Sequence, residues 1–323
     1  MALPDRRTFV FGLGGIAIAG SAIAQAIRPT YERPREIYAA LRGAADAEFA
    51  LDGGTIRLVY AKGTPRPDDA MVGTWVRGAA KAASDYFGRF PVEDFRLLVV
   101  GRDEPGVGHA TTYGFGGSVT RIEVGAGSDA RAFASDWVLV HEILHVSLPD
   151  LPRRALWLQE GNATYAEPIL RARAGQLAPS EIWRQAVAGM PKGQPRPGDH
   201  GLDGTEDWGR LYWGGAAFWL RAEIEIYRAT AGQRSLRDAM RRINRESGGN
   251  SADWDPDQLM EVGDAATGGT VLRDLYAQYA YSPVRTDLRQ VFGEIGVGVG
   301  DDGRIRFDDA APLAAFRRWL IES

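Results

Sequence analysis

Apolar residues recur at intervals of three and four along much of this chain, which places them on one face of an α-helix. Residues 70–87 form the first long segment of this kind, and 36–48 form a shorter one. From about residue 132 onward the pattern predicts helices almost throughout, separated by Pro and Gly. These predicted helices span residues 132–148, 153–168, 179–190, 208–230, 235–247, 255–262 and 269–281.

Strand patterns are confined to the first 130 residues. Residues 95–100 are apolar and β-branched, and residues 118–124 alternate between apolar and polar side chains. A turn at 51–54 predicts a hairpin with 55–61. Between the later strands, 106–117 has the composition of a glycine-rich loop. The chain therefore predicts an α+β fold in which a small N-terminal sheet with helices precedes a mainly helical part.

The N-terminal segment has the pattern of an export signal. Arg6 and Arg7 precede an uncharged apolar run, and Ala24-Gln25-Ala26 has the small-x-small pattern of a signal-peptidase site. Paired arginines are typical of the twin-arginine route, although Sec signals also carry them. A membrane anchor is the alternative, but the run is short and glycine-rich for a span. We expect residues 1–26 to be removed and the mature protein to be periplasmic or secreted.

Composition excludes several classes of function. The 323 residues include 38 basic and 42 acidic side chains, a net charge of −4, which is too balanced for a nucleic-acid or polybasic membrane surface. We therefore expect no nucleic-acid partner and no membrane association after signal removal. Because the chain has no cysteine, only nitrogen and oxygen atoms are left as metal ligands.

Two of the four histidines lie in the motif His141-Glu142-Ile143-Leu144-His145. Histidines four residues apart project from one helix face about 6 Å apart along the axis, so both imidazoles can bind one Zn²⁺. Glu142 lies beside the metal rather than on it, where a general base takes a proton from an activated water. The alternative is a buried helix whose histidines have other partners.

A third ligand is predicted on the next helix. Pro149 and Pro152 end the first helix, so the chain reverses before Trp157-Leu158-Gln159-Glu160-Gly161. Glu160 then faces back toward the two imidazoles; a solvated helix carboxylate is the alternative. Two histidines and one glutamate leave one open position for water, as in catalytic zinc sites.

These motifs resemble those of the gluzincin metallopeptidases, most of all the glycyl aminopeptidase (M61) family. The likeness continues through Leu211-Tyr212-Trp213-Gly214-Gly215 and covers about residues 114–297. It implies a zincin-like (thermolysin-like) catalytic fold, with 27–130 as its N-terminal α/β part and 131–323 as its helical part. It also implies bound Zn²⁺, hydrolysis of a peptide or protein substrate, and a hydrogen bond from Tyr212 to the oxyanion, since Tyr212 matches the Tyr of the family's Tyr-x-Lys-Gly motif.

Two departures from the family pattern concern specificity. The family's Lys is Gly214 here, and the glutamate-bearing segment that recognises a peptide amino terminus is not evident in residues 113–123. Cleavage as an aminopeptidase or as an endopeptidase therefore stays open, as does the oligomeric state. Residues 114–119 form either an edge along which a substrate strand pairs or a plain turn.

The competing hypothesis is a non-catalytic periplasmic protein that binds a peptide or glycan on a degenerate peptidase fold. Retention of Glu142 disfavours it, because a binding protein does not need a general base. Thr164, four residues after Glu160, either hydrogen-bonds a ligand histidine or packs its helix. His109 and His200 are predicted to be surface residues, and most tryptophans are predicted to lie in the core.

Overall fold

The computed structural model describes residues 30–322. The predicted export signal, residues 1–26, lies outside the described residues. No helix within residues 30–322 combines the length and the apolar character needed to cross a membrane.

Seven strands and twelve α-helices make up the described part of the chain. The strands are β1 (Ala47–Leu51), β2 (Gly54–Tyr60), β3 (Asp94–Arg102), β4 (Val107–Tyr113), β5 (Ser118–Gly125), β6 (Val297–Val299) and β7 (Ile305–Phe307). The helices are α1 (Pro34–Ala40), α2 (Asp69–Phe87), α3 (Ala130–Ser135), α4 (Val138–Ser147), α5 (Leu156–Arg173), α6 (Pro179–Gly189), α7 (Gly215–Ala229), α8 (Leu236–Ser247), α9 (Pro256–Thr267), α10 (Val271–Tyr281), α11 (Leu288–Glu294) and α12 (Ala314–Glu322). Short 3₁₀ turns occupy Arg153–Ala155 and Met190–Gly193, and a π-helical turn occupies Arg210–Gly214.

The N-terminal sheet has five strands in the order β1-β2-β3-β5-β4. Strands β2, β3 and β5 are parallel, and the antiparallel strands β1 and β4 lie at the two edges. Helix α2 connects β2 to β3 and packs on the face that carries the main core. Ile37 of α1 and Leu98 of β3 belong to a smaller core on the opposite face. Because β3 is covered on both faces, its central residues 97–100 are continuously apolar rather than alternating.

The predicted α+β class and the mainly helical second part are confirmed, but some boundaries were wrong. The predicted loop at 106–117 contains strand β4, and only its end turns, where the Gly117 amide donates to the Gly114 carbonyl at 3.1 Å. Residues 114–117 therefore form a turn, and residues 118 and 119 begin strand β5. The predicted helix at 36–48 ends at Ala40, because the residues from Ala47 onward pair with β2 as strand β1.

The predicted helix at 132–148 is divided at Asp136. Its carboxylate accepts hydrogen bonds from the amides of Val138 and Leu139 at 2.9 and 3.2 Å, and from the Trp75 indole at 3.0 Å. The first two bonds satisfy two of the free amides at the start of α4 and fix where that helix begins. Burial raises the pKa of Asp136, and the bonds from the two amides oppose that rise.

The C-terminal segment was also not predicted in full. Strands β6 and β7 form an antiparallel hairpin after α11, and α12 follows them. The strands have three residues each, too few for a periodic pattern to be visible in the sequence.

Helices α5 and α7 approach each other closely at two glycines. A Cβ atom on Gly161 would overlap the backbone of Gly215, so only glycine allows this packing distance. Since Gly215 follows directly on the π-helical turn, the close approach holds that turn beside the part of α5 that precedes Gly161. This is the part of the fold in which the candidate site lies.

Candidate metal centre

Helices α4 and α5 bring three potential metal ligands together. The Nε2 atoms of His141 and His145 lie 3.2 Å apart. Each of these nitrogens lies 3.3 Å from Oε2 of Glu160. In the part of the chain that the structure describes, these three residues are the group of histidine and carboxylate side chains able to hold a metal ion.

The size of this triangle fits a tetrahedral zinc site. In a regular tetrahedron with zinc–ligand distances of about 2.0–2.1 Å, two ligand atoms are about 3.3–3.4 Å apart. The three observed separations of 3.2–3.3 Å match one face of such a tetrahedron. Two imidazole nitrogens and one carboxylate oxygen are also a donor set that suits Zn²⁺. The residues present therefore fit the metal that the sequence predicts.

The electrostatics of Glu160 favour its ligating form. Burial alone would raise the pKa of this carboxyl group, but the adjacent imidazoles of His145 and His141 hold it well below its usual range. The side chain is therefore an ionised carboxylate at neutral pH, as metal coordination requires.

Glu142 lies on the same helix as the two histidines but faces the sheet. Its side chain is 8% exposed, and its Oε2 accepts a hydrogen bond of 2.7 Å from the Thr112 hydroxyl on β4. A carboxylate buried to this degree needs such a partner, because desolvation otherwise destabilises the charge. Glu142 is outside the ligand triangle, as the sequence motif predicts.

The π-helical turn places Tyr212 against the metal group. Its ring stacks on the His141 ring at a centroid distance of 6.1 Å, with the two planes 15° apart. Trp208 in turn stacks on Tyr212 at 5.3 Å. Trp137 also contacts the His141 ring, edge to face, at a centroid distance of 5.4 Å. Isolated π-helical turns are frequent at functional sites, where they redirect a side chain.

A cleft of about 650 Å³ begins beside Trp137 and the first residue of α4. Its walls are formed by residues 105–107 at the start of β4, by residues 127–132 around the start of α3, and by residues 135–138 at the start of α4. Pro105, Val107, Arg131, Trp137 and Val138 are among the residues that line it. None of the three potential metal ligands lines this cleft, and the residue that links it to them is Trp137, which contacts His141.

The structure resolves several alternatives that the sequence left open. The Thr164 hydroxyl donates to the backbone carbonyl of Glu160 at 2.8 Å. It therefore bonds within its own helix rather than to a ligand histidine. His109 and His200 are exposed and take no part in the ligand triangle. Trp157, Trp183 and Trp219 are fully buried, whereas Trp208 is 71% exposed next to the site.

Sequence reasoning missed Thr112 and Trp137. Thr112 lay inside the predicted loop at 106–117, and nothing local indicates that this residue meets Glu142 thirty positions later. Trp137 was assigned to a continuous helix, whereas it is the residue before α4 and is 49% exposed. The available signal in the sequence was Asp136 itself, since Ser, Asp and Asn residues commonly begin helices.

Comparisons with known proteins place the fold but not the family. No protein-family model matches the chain, and no curated protein matches it. An aminopeptidase N family protein from Idiomarina loihiensis is similar in structure, with a TM-score of 0.58 and 13% sequence identity over 79% of this chain and 49% of that one. The M1 zinc metallopeptidase from Deinococcus radiodurans aligns with a TM-score of 0.48 and 19% identity, over 75% and 52% of the two chains.

The chain thus spans about half the length of these solved structures. The first of them shows the fold: an α+β arrangement of an N-terminal sheet and a mainly helical remainder, shared with a protein of the aminopeptidase N family.

Proposed function

We propose that this protein is a zinc-dependent metallopeptidase that hydrolyses peptide bonds. The observation that carries the proposal is the ligand triangle of His141, His145 and Glu160, whose 3.2–3.3 Å edges fit one face of a tetrahedral zinc site. The buried carboxylate of Glu142 on the same helix supports it, because a purely structural metal site needs no additional base. The fold shared with the aminopeptidase N family protein is consistent with this activity.

Bound zinc would polarise the substrate carbonyl and make water a better nucleophile at neutral pH. The residues of the chain have separate tasks around it. Glu142 accepts the proton of the attacking water and passes it to the departing amine nitrogen, so that the peptide bond breaks without a free amide anion as the leaving group. His141, His145 and Glu160 hold the metal and leave a fourth position open.

Tyr212 is proposed to stabilise the oxyanion, as the resemblance to the M61 family implies. Its stacking on His141 supports this role by placing the ring next to a metal ligand. A hydroxyl that binds the oxyanion strengthens its hydrogen bond as negative charge develops, so it acts on the transition state more than on the bound substrate.

Replacing Tyr212 with Phe is therefore expected to lower kcat by roughly 10²–10³-fold with little change in KM, because one oxyanion donor is lost and little volume changes. Steady-state kinetics on a cleaved peptide measure both constants. Tyr227→Phe is the matched control, since Tyr227 packs against Phe316 and Trp319 and lies outside the site. An unaltered kcat in Tyr212→Phe would contradict the oxyanion role and indicate that Tyr212 only packs against its neighbours.

The substrate class is a peptide or protein, and the M61-like family placement stays part of this proposal. The decisive experiment is to profile the zinc-loaded protein on a peptide library, with Glu142→Gln as the inactive control. Cleavage by the parent and not by the variant supports the proposal, and the ends of the products show whether cleavage is exo or endo. Peptide or glycan binding without cleavage by either form would instead support the non-catalytic alternative.

We also propose that the protein is exported and acts in the periplasm or as a secreted enzyme, which rests on the pattern of residues 1–26. The mature chain is expected to begin near Ile27. Replacing Arg6 and Arg7 with Lys should block export if the twin-arginine route is used, as cell fractionation would measure. A cytosolic protein that keeps residues 1–26 would contradict this proposal.

A further inference from the structure

The edge strand β4 contacts the candidate base through one hydroxyl group. Thr112 Oγ1 lies 2.7 Å from Glu142 Oε2 and also 2.7 Å from the hydroxyl of Thr120, its cross-strand partner on β5. The Thr120 side chain is fully buried, and Glu142 is nearly so. The three side chains thus form a short chain of hydrogen bonds from the sheet to helix α4.

Which group donates in each of these bonds follows from the single hydrogen that each threonine hydroxyl carries. An ionised carboxylate only accepts, so Thr112 must donate its single hydroxyl hydrogen to Glu142. Between the two threonines, Thr120 is then the donor and Thr112 the acceptor. The bond to the carboxylate is the stronger of the two, because its acceptor is charged. It is made to Oε2, and in the proposed mechanism Oε1 is the oxygen that accepts the proton of the attacking water.

We propose that Thr112 is a positioning residue that holds the Glu142 carboxylate in the orientation required for proton transfer, with Thr120 orienting the Thr112 hydroxyl. This inference rests on the proposed peptidase function. A base must lie within hydrogen-bond reach of the proton it removes, and small displacements of reacting groups are costly in rate. The carboxylate of a glutamate on a helix turns about three bonds, and the bond from β4 removes that freedom.

The test separates the hydroxyl from the bulk of the side chain. Thr112→Val keeps the shape and removes the hydroxyl, whereas Thr112→Ser keeps the hydroxyl. We expect Thr112→Val to lower kcat per bound zinc by about 10–100-fold with KM nearly unchanged, as for misplaced reacting groups. Thr112→Ser should restore most of the rate. Thr120→Val should have the smaller effect, since Thr112 can still donate to Glu142.

A second pair of variants keeps the proposal testable if Thr112→Val does not fold. Thr112→Ser and Thr112→Ala both lack the methyl group and differ only in the hydroxyl, so the Ala variant should be the slower one. Thr111→Val is the matched control on the same strand. Its hydroxyl contacts His109 rather than Glu142, and its rate should equal that of the parent.

A readout independent of catalysis is the denaturation midpoint of the zinc-free protein. Thr112→Val should lower this midpoint more in the parent than in a Glu142→Ala background, because the bond is already absent there. Equal decreases in both backgrounds, or equal rates for the Ser and Ala variants, would overturn the positioning role. Failure of the parent to cleave any peptide would instead contradict the proposed function, whereas the midpoint comparison would still test the bond.

Discussion

Replacement of His145 with Ala is expected to abolish zinc binding and, with it, hydrolysis. Loss of groups that merely support a metal ligand costs about 10–100-fold in metal affinity, so loss of one of three direct ligands should cost more. In the variant, Glu160 would keep only His141 as an imidazole neighbour, and two ligands would remain instead of three. Metal analysis of the purified protein should give about one zinc per parent chain and none per variant chain.

His109→Ala is the matched control for this experiment. His109 is exposed and outside the ligand triangle, so its removal should leave both the zinc content and the rate unchanged. Chelation followed by dialysis against zinc should remove and then restore the activity of the parent. A His145→Ala protein that keeps a full equivalent of zinc would show that the metal centre is assigned to the wrong residues.

Replacement of Glu142 with Gln should retain zinc but lose most turnover. Glu142 is not one of the three residues of the ligand triangle, so the metal ligands are unchanged. An amide cannot accept the proton of the attacking water at neutral pH, and loss of a general base typically costs about 10²–10⁴-fold in rate. Zinc content, kcat and KM should be measured on the same preparation. Turnover equal to that of the parent would exclude Glu142 as the base.

These two substitutions act on different parts of the same site, and their combined pattern is informative. His145→Ala should lose both metal and activity, whereas Glu142→Gln should lose activity alone. Loss of zinc in both variants would indicate that Glu142 supports the metal directly. That result would contradict the separation between ligand and base on which the proposed mechanism depends.

The sequence by itself determined the features that depend on neighbours along the chain. The i, i+4 spacing of His141 and His145 requires a helix to bring both rings to one side, and the structure has that helix as α4. Long periodic segments such as residues 70–87 also predicted their helices closely, because the apolar face of a helix repeats every few residues. The α+β class followed from where strand and helix patterns occur.

Only the tertiary structure decided the features that join distant segments. Strand β4 was missed because its pairing with β5, rather than its own composition, makes it a strand. The same pairing brings Thr112 to Glu142, thirty residues away, and the close approach of Gly161 to Gly215 holds the turn that carries Tyr212. A helix satisfies its backbone hydrogen bonds within one segment, so the sequence of that segment alone can predict it. Sheet pairing and helix packing join separate segments, and the surroundings of the metal centre depend on both.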